Sequence, residues 1–191
     1  MKLTARRLAI PDVMLLEHEV FEDDRGFFME VYRRDQFREL GLPELFVQAN
    51  HSRSARNVVR GLHFQWGPPM GKLMRVTEGA AFVVAVDIRP DSPTLGRWVA
   101  ETISAENRLQ MWAPAGFARG FCALSDFAGV QYMCTAVYNG GGESGIVWND
   151  PDVGIEWPVA NPLLSKKDAA AQSLRDWLAG ESSKKFSIHA R

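Results

Sequence analysis

Short apolar runs separated by turn residues dominate the middle of the chain, from about residue 45 to residue 150. Glycine, proline and charged residues break these runs at 67–69, 89–93 and 139–142. Short runs at intervals of roughly 8–12 residues are typical of antiparallel sandwiches and barrels, and no helix long enough for a parallel α/β fold lies between them. We therefore predict an all-β fold with strands near 45–51, 57–66, 72–77, 80–89, 96–103, 109–113, 117–124, 128–138 and 145–149.

The N-terminal part of the chain extends this pattern. Residues 13–21 indicate an edge strand, and a charged turn at 22–26 joins it to another strand at 27–32. Residues 35–40 predict one or two helical turns, which Gly41 and Pro43 would stop.

The longest predicted helix lies near the C-terminus. Ser165 is a candidate cap, with Asp168 three residues later and an alanine run beyond it, which predicts a short helix over about 165–180. Residues 181–191 are mostly polar, and we expect them to be frayed.

Composition and charge indicate a globular protein of ordinary kind. The 191 residues are 46% hydrophobic and 24% charged, which predicts a single domain, 1–191, with its core at about 10–160. Lysine and arginine number 22 and aspartate and glutamate 23, so the net charge is −1. A nucleic-acid-binding protein is usually basic, so we expect no nucleic acid partner. The net charge does not exclude a site for a small anion, because such a site needs only a few local cations.

Two features favour a cytoplasmic location. Cys122 and Cys134 are too few for a disulfide framework and suit a reducing compartment. Residues 1–7 lack the apolar core of a signal peptide, and no apolar run approaches the roughly 20 residues of a membrane span. We therefore expect no membrane association.

The histidines do not predict a metal site. His18, His51, His63 and His189 are dispersed, and no two of them share one strand or turn. The run around His63 is His-Phe-Gln, which lacks the His-x-His spacing of many metal-binding barrels. We expect no metal, so a lysine or arginine would have to act as the electrophile.

Residues 58–72 contain the most suggestive chemistry. His63 lies near the end of a predicted strand, and Lys72 opens the next strand after a Gly/Pro turn. An imidazole beside a fixed cation suits proton abstraction next to a carbonyl, because the cation stabilises the enolate oxygen. A packed, hydrogen-bonded histidine is the alternative. Arg60 and His63 would face opposite sides of a regular strand, unless Gly61 introduces a bulge.

Three further residues suggest a polar interior. Arg119 lies among aromatic residues, where it needs either an anionic ligand or an internal carboxylate partner. Tyr132 and Tyr138 are six residues apart, which puts both on one face of a strand. A phenol can return a proton to carbon, although two core tyrosines with satisfied hydroxyls are the simpler interpretation.

A series of short motifs runs through the chain: 24–30 (DRGFFME), 46–52 (FVQANHS), 60–65 (RGLHFQ), 71–73 (GKL), 86–89 (VDIR), 92–94 (SPT), 104–107 (SAEN), 148–151 (WNDP), 154–158 (GIEWP) and 164–168 (LSKKD). Together, and in this order, they resemble the dTDP-4-dehydrorhamnose 3,5-epimerase family over residues 10 to about 170. The resemblance implies a cupin-type jelly roll that acts as a homodimer without metal or organic cofactor. It also implies inversion of C3 and C5 of a dTDP-4-keto-6-deoxysugar.

Residue roles follow from the same resemblance. His63 would be the base, Asp168 its orienting carboxylate and Lys72 the group that stabilises the enolate at O4. Tyr132 would be the acid on the other face of the sugar. The residues expected to hold nucleotide and sugar, with Arg25 reaching across the dimer, are Arg25, Glu30, Gln48, Asn50, Arg60, Tyr138 and Glu143.

The chain departs from the family pattern at two positions. Arg119 replaces a common histidine, and Val83 replaces a common aspartate on the preceding inner strand. Both changes make the pocket more positive, so Arg119 is expected to bind substrate. It would serve O4, accommodate a different sugar or limit reaction to one centre. A single-centre epimerase, an epimerase of another nucleotide sugar, a non-catalytic sugar-nucleotide-binding protein and a metal-dependent dioxygenase are the alternatives.

Overall fold

The computed structural model describes residues 1–187, in which alternating apolar and turn segments form thirteen strands. The strands are β1 (Leu3–Arg7), β2 (Met14–His18), β3 (Val20–Asp23), β4 (Gly26–Met29), β5 (Gln48–Ala55), β6 (Val59–Gln65), β7 (Lys72–Glu78), β8 (Ala80–Asp87), β9 (Trp98–Ser104), β10 (Gln110–Ala113), β11 (Phe117–Ala123), β12 (Phe127–Cys134) and β13 (Glu143–Gly145). The α-helices are α1 (Arg34–Glu39), α2 (Lys166–Ala169) and α3 (Leu174–Ala179).

Two antiparallel sheets form the body of the molecule. The first has the order β1-β2-β10-β7-β12-β5, the second has the order β13-β6-β11-β8-β9, and β3 and β4 form a separate hairpin. The main core lies between the sheets, where Met74 and Val130 of the first sheet belong to the same cluster as Val83 and Phe121 of the second. The all-β sandwich predicted from the strand pattern is therefore confirmed.

The second sheet is buried on both faces. Its outer face carries Phe64 and Val86, which pack with Trp177 and Phe186 from the C-terminal segment. This explains why every residue of β11 is buried and why β8 is a nearly continuous apolar run. The C-terminal segment thus covers the sheet that carries His63.

The C-terminal prediction was partly wrong. The expected helix over 165–180 is two short helices, because Ser173 and Asp176 form a capping box that begins α3. Residues 181–186, expected to be frayed, form a 3₁₀-helix with Phe186 buried. The frayed end was also expected to include residues 188–191, which lie outside the described residues.

Several strand boundaries also differ from the prediction. The edge of the first sheet is β1, which its polar sequence did not reveal, and the predicted strand at 13–21 is divided into β2 and β3. The predicted strand at 128–138 ends at Cys134, so Tyr138 lies in the following loop.

Candidate active site

A cavity of about 170 Å³ opens between the two sheets. The second sheet contributes Arg60 and His63 from β6 and Arg119 from β11, and the first contributes Lys72 from β7 and Tyr132 from β12. The remaining lining residues are Ser52, Met74, Gly120 and Phe121. Four predicted catalytic or binding side chains therefore come together here with Arg119, in an interior that is otherwise mostly apolar.

An irregularity at Gly61 lets Arg60 and His63 line the same cavity. The pairing of β6 with β11 shifts register beside Gly120, and Gly61 has a φ of +131°. A Cβ added at Gly61 would lie 2.6 Å from Gly120 Cα, so only glycine allows the two backbones to approach this closely. The irregularity suggested at Gly61 as a way to bring Arg60 and His63 to one face is therefore present.

His63 is paired with Asp168. His63 Nε2 lies 2.6 Å from Asp168 Oδ1, and the carboxylate is buried. Ser165 caps α2 by accepting a hydrogen bond from the Asp168 backbone N–H at 3.0 Å, which fixes the turn that carries the carboxylate. Because Nε2–H is donated to Asp168, Nδ1 is the ring nitrogen that keeps a lone pair for a base.

The Asp168 carboxyl is held in its ionised form. Burial by itself would raise the pKa of this carboxyl, but hydrogen bonds from His63, Ser165 and the backbone of Gly61 lower it below its ordinary value. An ionised carboxylate stabilises the imidazolium that forms when His63 accepts a proton.

Lys72 places an ammonium group in the cavity. Gly71 precedes it, and a Cβ there would lie 2.3 Å from the Trp112 ring, so the missing side chain lets the indole pack against this turn. Burial, and then the charge of Arg119, lower the pKa of Lys72 to about 8. The Lys72 Nζ lies 4.8 Å from the centroid of the Tyr132 ring.

Tyr132 presents a neutral phenol at neutral pH. Burial, with a smaller contribution from Cys134, raises the pKa of this phenol above its ordinary value. Tyr132 and His63 belong to opposite sheets, so a phenol and an imidazole come from the two walls of the sandwich. A pair of this kind can handle protons on the two faces of a flat intermediate.

Arg119 is buried without a carboxylate. It is 3% exposed, and its Nη1 donates to the carbonyls of Met70 at 2.9 Å, Ala113 at 3.3 Å and Pro114 at 3.0 Å. No carboxylate of residues 1–187 lies within 4.0 Å of the guanidinium, so the internal ion pair considered as an alternative is absent there. Burial lowers the pKa of Arg119 to about 10.

A second cavity of about 230 Å³ adjoins the first and shares Lys72 and Tyr132 with it. Gln48 Oε1 accepts the Tyr138 backbone N–H at 2.8 Å, and Gln48 Nε2 donates to Asn50 at 3.2 Å. The other lining residues are Met70, Cys134 and Tyr138. This cavity brings together three of the residues expected to hold the ligand.

Glu143 lies beside this second cavity. The Tyr138 hydroxyl donates to Glu143 Oε1 at 3.4 Å, and Lys167 makes an ion pair with the same oxygen. Lys167 is one residue before Asp168, so α2 carries both the lysine that pairs with Glu143 and the carboxylate that pairs with His63.

Comparison with known proteins gives the family. The model of the family described as dTDP-4-dehydrorhamnose 3,5-epimerase matches residues 7–176. The dTDP-4-dehydrorhamnose 3,5-epimerase of Pseudomonas aeruginosa is 54% identical over 176 residues, which cover 91% of this chain and 97% of that protein. The chain belongs to the dTDP-4-dehydrorhamnose 3,5-epimerase family. It is therefore an epimerase, an enzyme of the isomerase class.

Two further relatives bear on fold and specificity. The epimerase of Legionella pneumophila, solved in complex with dTDP-4-keto-L-rhamnose, has a TM-score of 0.88 and 43% identity, covering 91% of this chain and 94% of that one. These values confirm the cupin-type fold. The dTDP-4-dehydrorhamnose 3-epimerase of Streptomyces niveus is 39% identical, covering 90% of this chain and 84% of that protein.

Three residues assigned to ligand binding, Arg25, Glu30 and Glu143, line neither cavity of this epimerase-family chain, although Glu143 contacts Tyr138 beside the second. Arg25 lies at the tip of the β3–β4 hairpin, is 90% exposed and pairs with Asp23. Glu30 follows β4, with its Oε1 3.5 Å from Nη1 of Arg33. The fold of the single chain therefore does not bring Arg25 and Glu30 to the His63 site.

Ser52 is the polar cavity residue that the sequence reasoning missed. It follows Gln48 and Asn50 at alternate positions of β5, so the period-two pattern of a strand would have found it. Val83, one of the two departures from the family pattern, is fully buried in the main core, and β8 pairs it with Phe121.

Neither a metal-binding cluster nor a membrane-spanning helix is present among the described residues. Within 1–187, no group of three or more His, Cys, Asp or Glu side chains is arranged to hold a metal ion. In the same part of the chain, no helix is long and apolar enough to cross a membrane.

Proposed function

We propose that this epimerase inverts C3 and C5 of dTDP-4-dehydro-6-deoxy-D-glucose and gives dTDP-4-dehydro-L-rhamnose. The observation that carries the proposal is the 2.6 Å contact of His63 with Asp168 in the wall of a cavity that also holds Lys72 and Tyr132. A ketone at C4 acidifies the hydrogens on both neighbouring carbons. One base and one oxyanion site therefore suffice for both centres.

The first step is removal of a proton from carbon. The C–H bond breaks, its proton passes to His63 Nδ1, and its electron pair forms a C=C bond to C4 while O4 takes the negative charge. The Asp168 carboxylate stabilises the resulting imidazolium, and the Lys72 ammonium stabilises O4. Lys72 carries its charge below a pH of about 8, where its pKa lies.

The second step returns a proton to the opposite face. Tyr132 belongs to the sheet that faces the His63 sheet, and its raised pKa keeps the O–H in place at neutral pH. Transfer of this proton to carbon restores the C4 ketone and inverts the centre. The phenolate and the imidazolium then return to their starting states by exchange with solvent.

The second cavity is a candidate site for the rest of the ligand. Gln48, Asn50 and Tyr138 line it beside Lys72 and Tyr132. We infer that these side chains, with Arg60 and Glu143, hold the sugar and the nucleotide. The Legionella relative, solved with dTDP-4-keto-L-rhamnose, supports a ligand of this class.

We also propose that the enzyme is a homodimer. Phe21, Phe27 and Phe28 on the β3–β4 hairpin are all about half exposed or more, beside Arg25. Packing of this hairpin on a second copy would bury the rings and let Arg25 reach the second cavity of that copy. Light scattering at micromolar concentration tests the dimer, and a monomer with full activity would contradict it. A cytoplasmic location stays a prediction, supported by two free, buried thiols.

Deuterium exchange tests the reaction itself. The enzyme is incubated with dTDP-4-dehydro-6-deoxy-D-glucose in D₂O, and ¹H NMR follows the signals of H3 and H5. Loss of both signals with formation of the L-rhamno product supports the proposal. Label at one carbon would establish a single-centre epimerase, and label at C3 alone would match the name of the Streptomyces niveus relative, a 3-epimerase. Tight dTDP binding without exchange would establish a sugar-nucleotide-binding protein.

A further inference from the structure

One edge of the Arg119 guanidinium has no partner within the protein. Nη1 is occupied by three backbone carbonyls, whereas Nε and Nη2 are buried and make no hydrogen bond. Buried donors without acceptors are unfavourable by roughly 1–3 kcal/mol each, and more when the group is charged. An arrangement that persists at this cost indicates that a ligand completes it.

The surroundings restrict what can complete the edge. Arg119 lines the cavity with His63, Lys72 and Tyr132, and none of these offers a carboxylate. The adjacent strand β8 presents Ala85 opposite Arg119, and Val83 two residues earlier is apolar and fully buried. The three carbonyls fix the guanidinium through Nη1, so the Nε/Nη2 edge has a set position rather than a mobile one.

The Nε/Nη2 edge of a guanidinium donates two parallel N–H bonds and therefore suits two oxygens side by side. The two enolates of the proposed substrate differ in this respect. Removal of the proton at C3 gives a C3=C4 double bond with O3 and O4 cis and coplanar. Removal of the proton at C5 gives a C4=C5 double bond whose neighbouring substituent is the C6 methyl, so that only O4 is available.

We propose that Arg119 is a specificity-determining catalytic residue that favours reaction at C3, because its free edge binds O3 and O4 of the C3 enediolate together. The proposal rests on the proposed function, since it requires a 4-keto sugar and proton abstraction by His63. Lys72 binds O4 alone and therefore serves both centres equally. The step itself is unchanged: the C3 proton passes to His63 Nδ1, and Arg119 stabilises the charge without gaining or losing a proton.

The test compares exchange at the two carbons in full-length variants. Initial rates of deuterium incorporation at C3 and C5 are measured by NMR for the wild type, Arg119→Gln, Arg119→Lys and Lys72→Gln. Loss of a charge-assisted hydrogen bond costs roughly tenfold or more in rate. We expect both Arg119 variants to lower the ratio of the C3 rate to the C5 rate at least tenfold. Lys72→Gln is the matched control, and it should lower both rates by a common factor.

The outcomes distinguish failure of the selective role of Arg119 from failure of the proposed function. An unchanged ratio of the C3 rate to the C5 rate in both Arg119 variants, whether or not the two rates fall, would overturn the selective role and leave the proposed epimerase intact. A wild-type ratio in Arg119→Lys would also overturn it, because a charge without the planar fork would then suffice. Absence of exchange in the wild type would instead refute the proposed function. If Arg119→Gln fails to fold, as judged by circular dichroism and dTDP binding, Arg119→Lys carries the test.

Discussion

Replacing Lys72 with methionine is expected to make the protein more stable and less active. The ammonium lies in a mostly apolar cavity beside Arg119, and these surroundings lower the pKa of Lys72 from 10.5 to about 8. The unfolded chain keeps the ordinary pKa, so folding at neutral pH forces a charge into surroundings that disfavour it. Methionine fills a similar volume without charge and removes this cost.

The lowered pKa gives the size of the effect. The fall from 10.5 to about 8 corresponds to roughly 3 kcal/mol in the free energy of unfolding, at about 1.36 kcal/mol for each pH unit. Lys72 is partly exposed, so solvent screens its charge, and we expect a gain of about 1–3 kcal/mol for Lys72→Met at pH 7.

The lowered pKa of Lys72 also determines how the stability difference between Lys72→Met and the wild type changes with pH. Between about 8 and 10.5 the unfolded chain binds more protons at Lys72 than the folded chain, so wild-type stability rises with pH across this window. Below pH 8 the folded protein bears the full cost of the buried Lys72 charge, and above pH 10.5 this cost is absent. The advantage of Lys72→Met should therefore be constant below pH 8 and shrink towards zero by pH 10.5.

Urea denaturation at fixed protein concentration, followed by tryptophan fluorescence from pH 6 to pH 10.5, measures this difference. Deuterium exchange on the same samples measures the loss of activity. A variant less stable than the wild type at pH 7, or an advantage that does not change with pH, would refute the reasoning. Lys72→Arg is a useful control because it keeps a positive charge at this position.

Three further substitutions test the proposed roles. His63→Ala should lower exchange at both carbons by roughly 10²–10⁴-fold, and a rate above a tenth of wild type would remove His63 as the base. Tyr132→Phe should slow epimerisation while dTDP affinity by calorimetry stays within about twofold; a parallel loss of binding would argue for a structural role. Asp168→Asn keeps the shape but not the charge, and it should lower kcat by roughly 10–100-fold with a small change in KM, whereas an unchanged kcat would contradict the assigned pairing.

The strands were predictable where turn-forming residues separate them in the sequence. Most breakers between 45 and 150 lie between observed strands, because glycine and proline act on the backbone locally. β1 was missed because its residues are largely polar and its pairing with β2 depends on a partner elsewhere in the chain. The break between α2 and α3 was missed although Ser173 and Asp176 carry a helix-start signal, because the preceding alanines favour an uninterrupted helix.

The candidate site was predictable only in pieces. Local reasoning suggested that His63 and Lys72 lie close together and that a bulge at Gly61 turns Arg60 and His63 to one face, and the structure agrees. Asp168 is 105 residues from His63, and no local pattern joins them, so the pairing came from the family resemblance. The argument that put Tyr138 on the strand of Tyr132 was wrong, yet Tyr138 still borders the second cavity because Gln48 holds its backbone.

The C-terminal segment makes the base depend on aromatic packing at some distance from the sugar. Trp177 lies 4.5 Å, ring centroid to ring centroid, from Phe64, the residue next to His63, and Phe186 packs on the same group. This stack anchors the part of the chain that also delivers the carboxylate to the imidazole. Fusions, tags or substitutions near the C-terminus that disturb the Trp177 ring are therefore expected to lower the turnover rate. Engineering of the protein should leave that end unchanged.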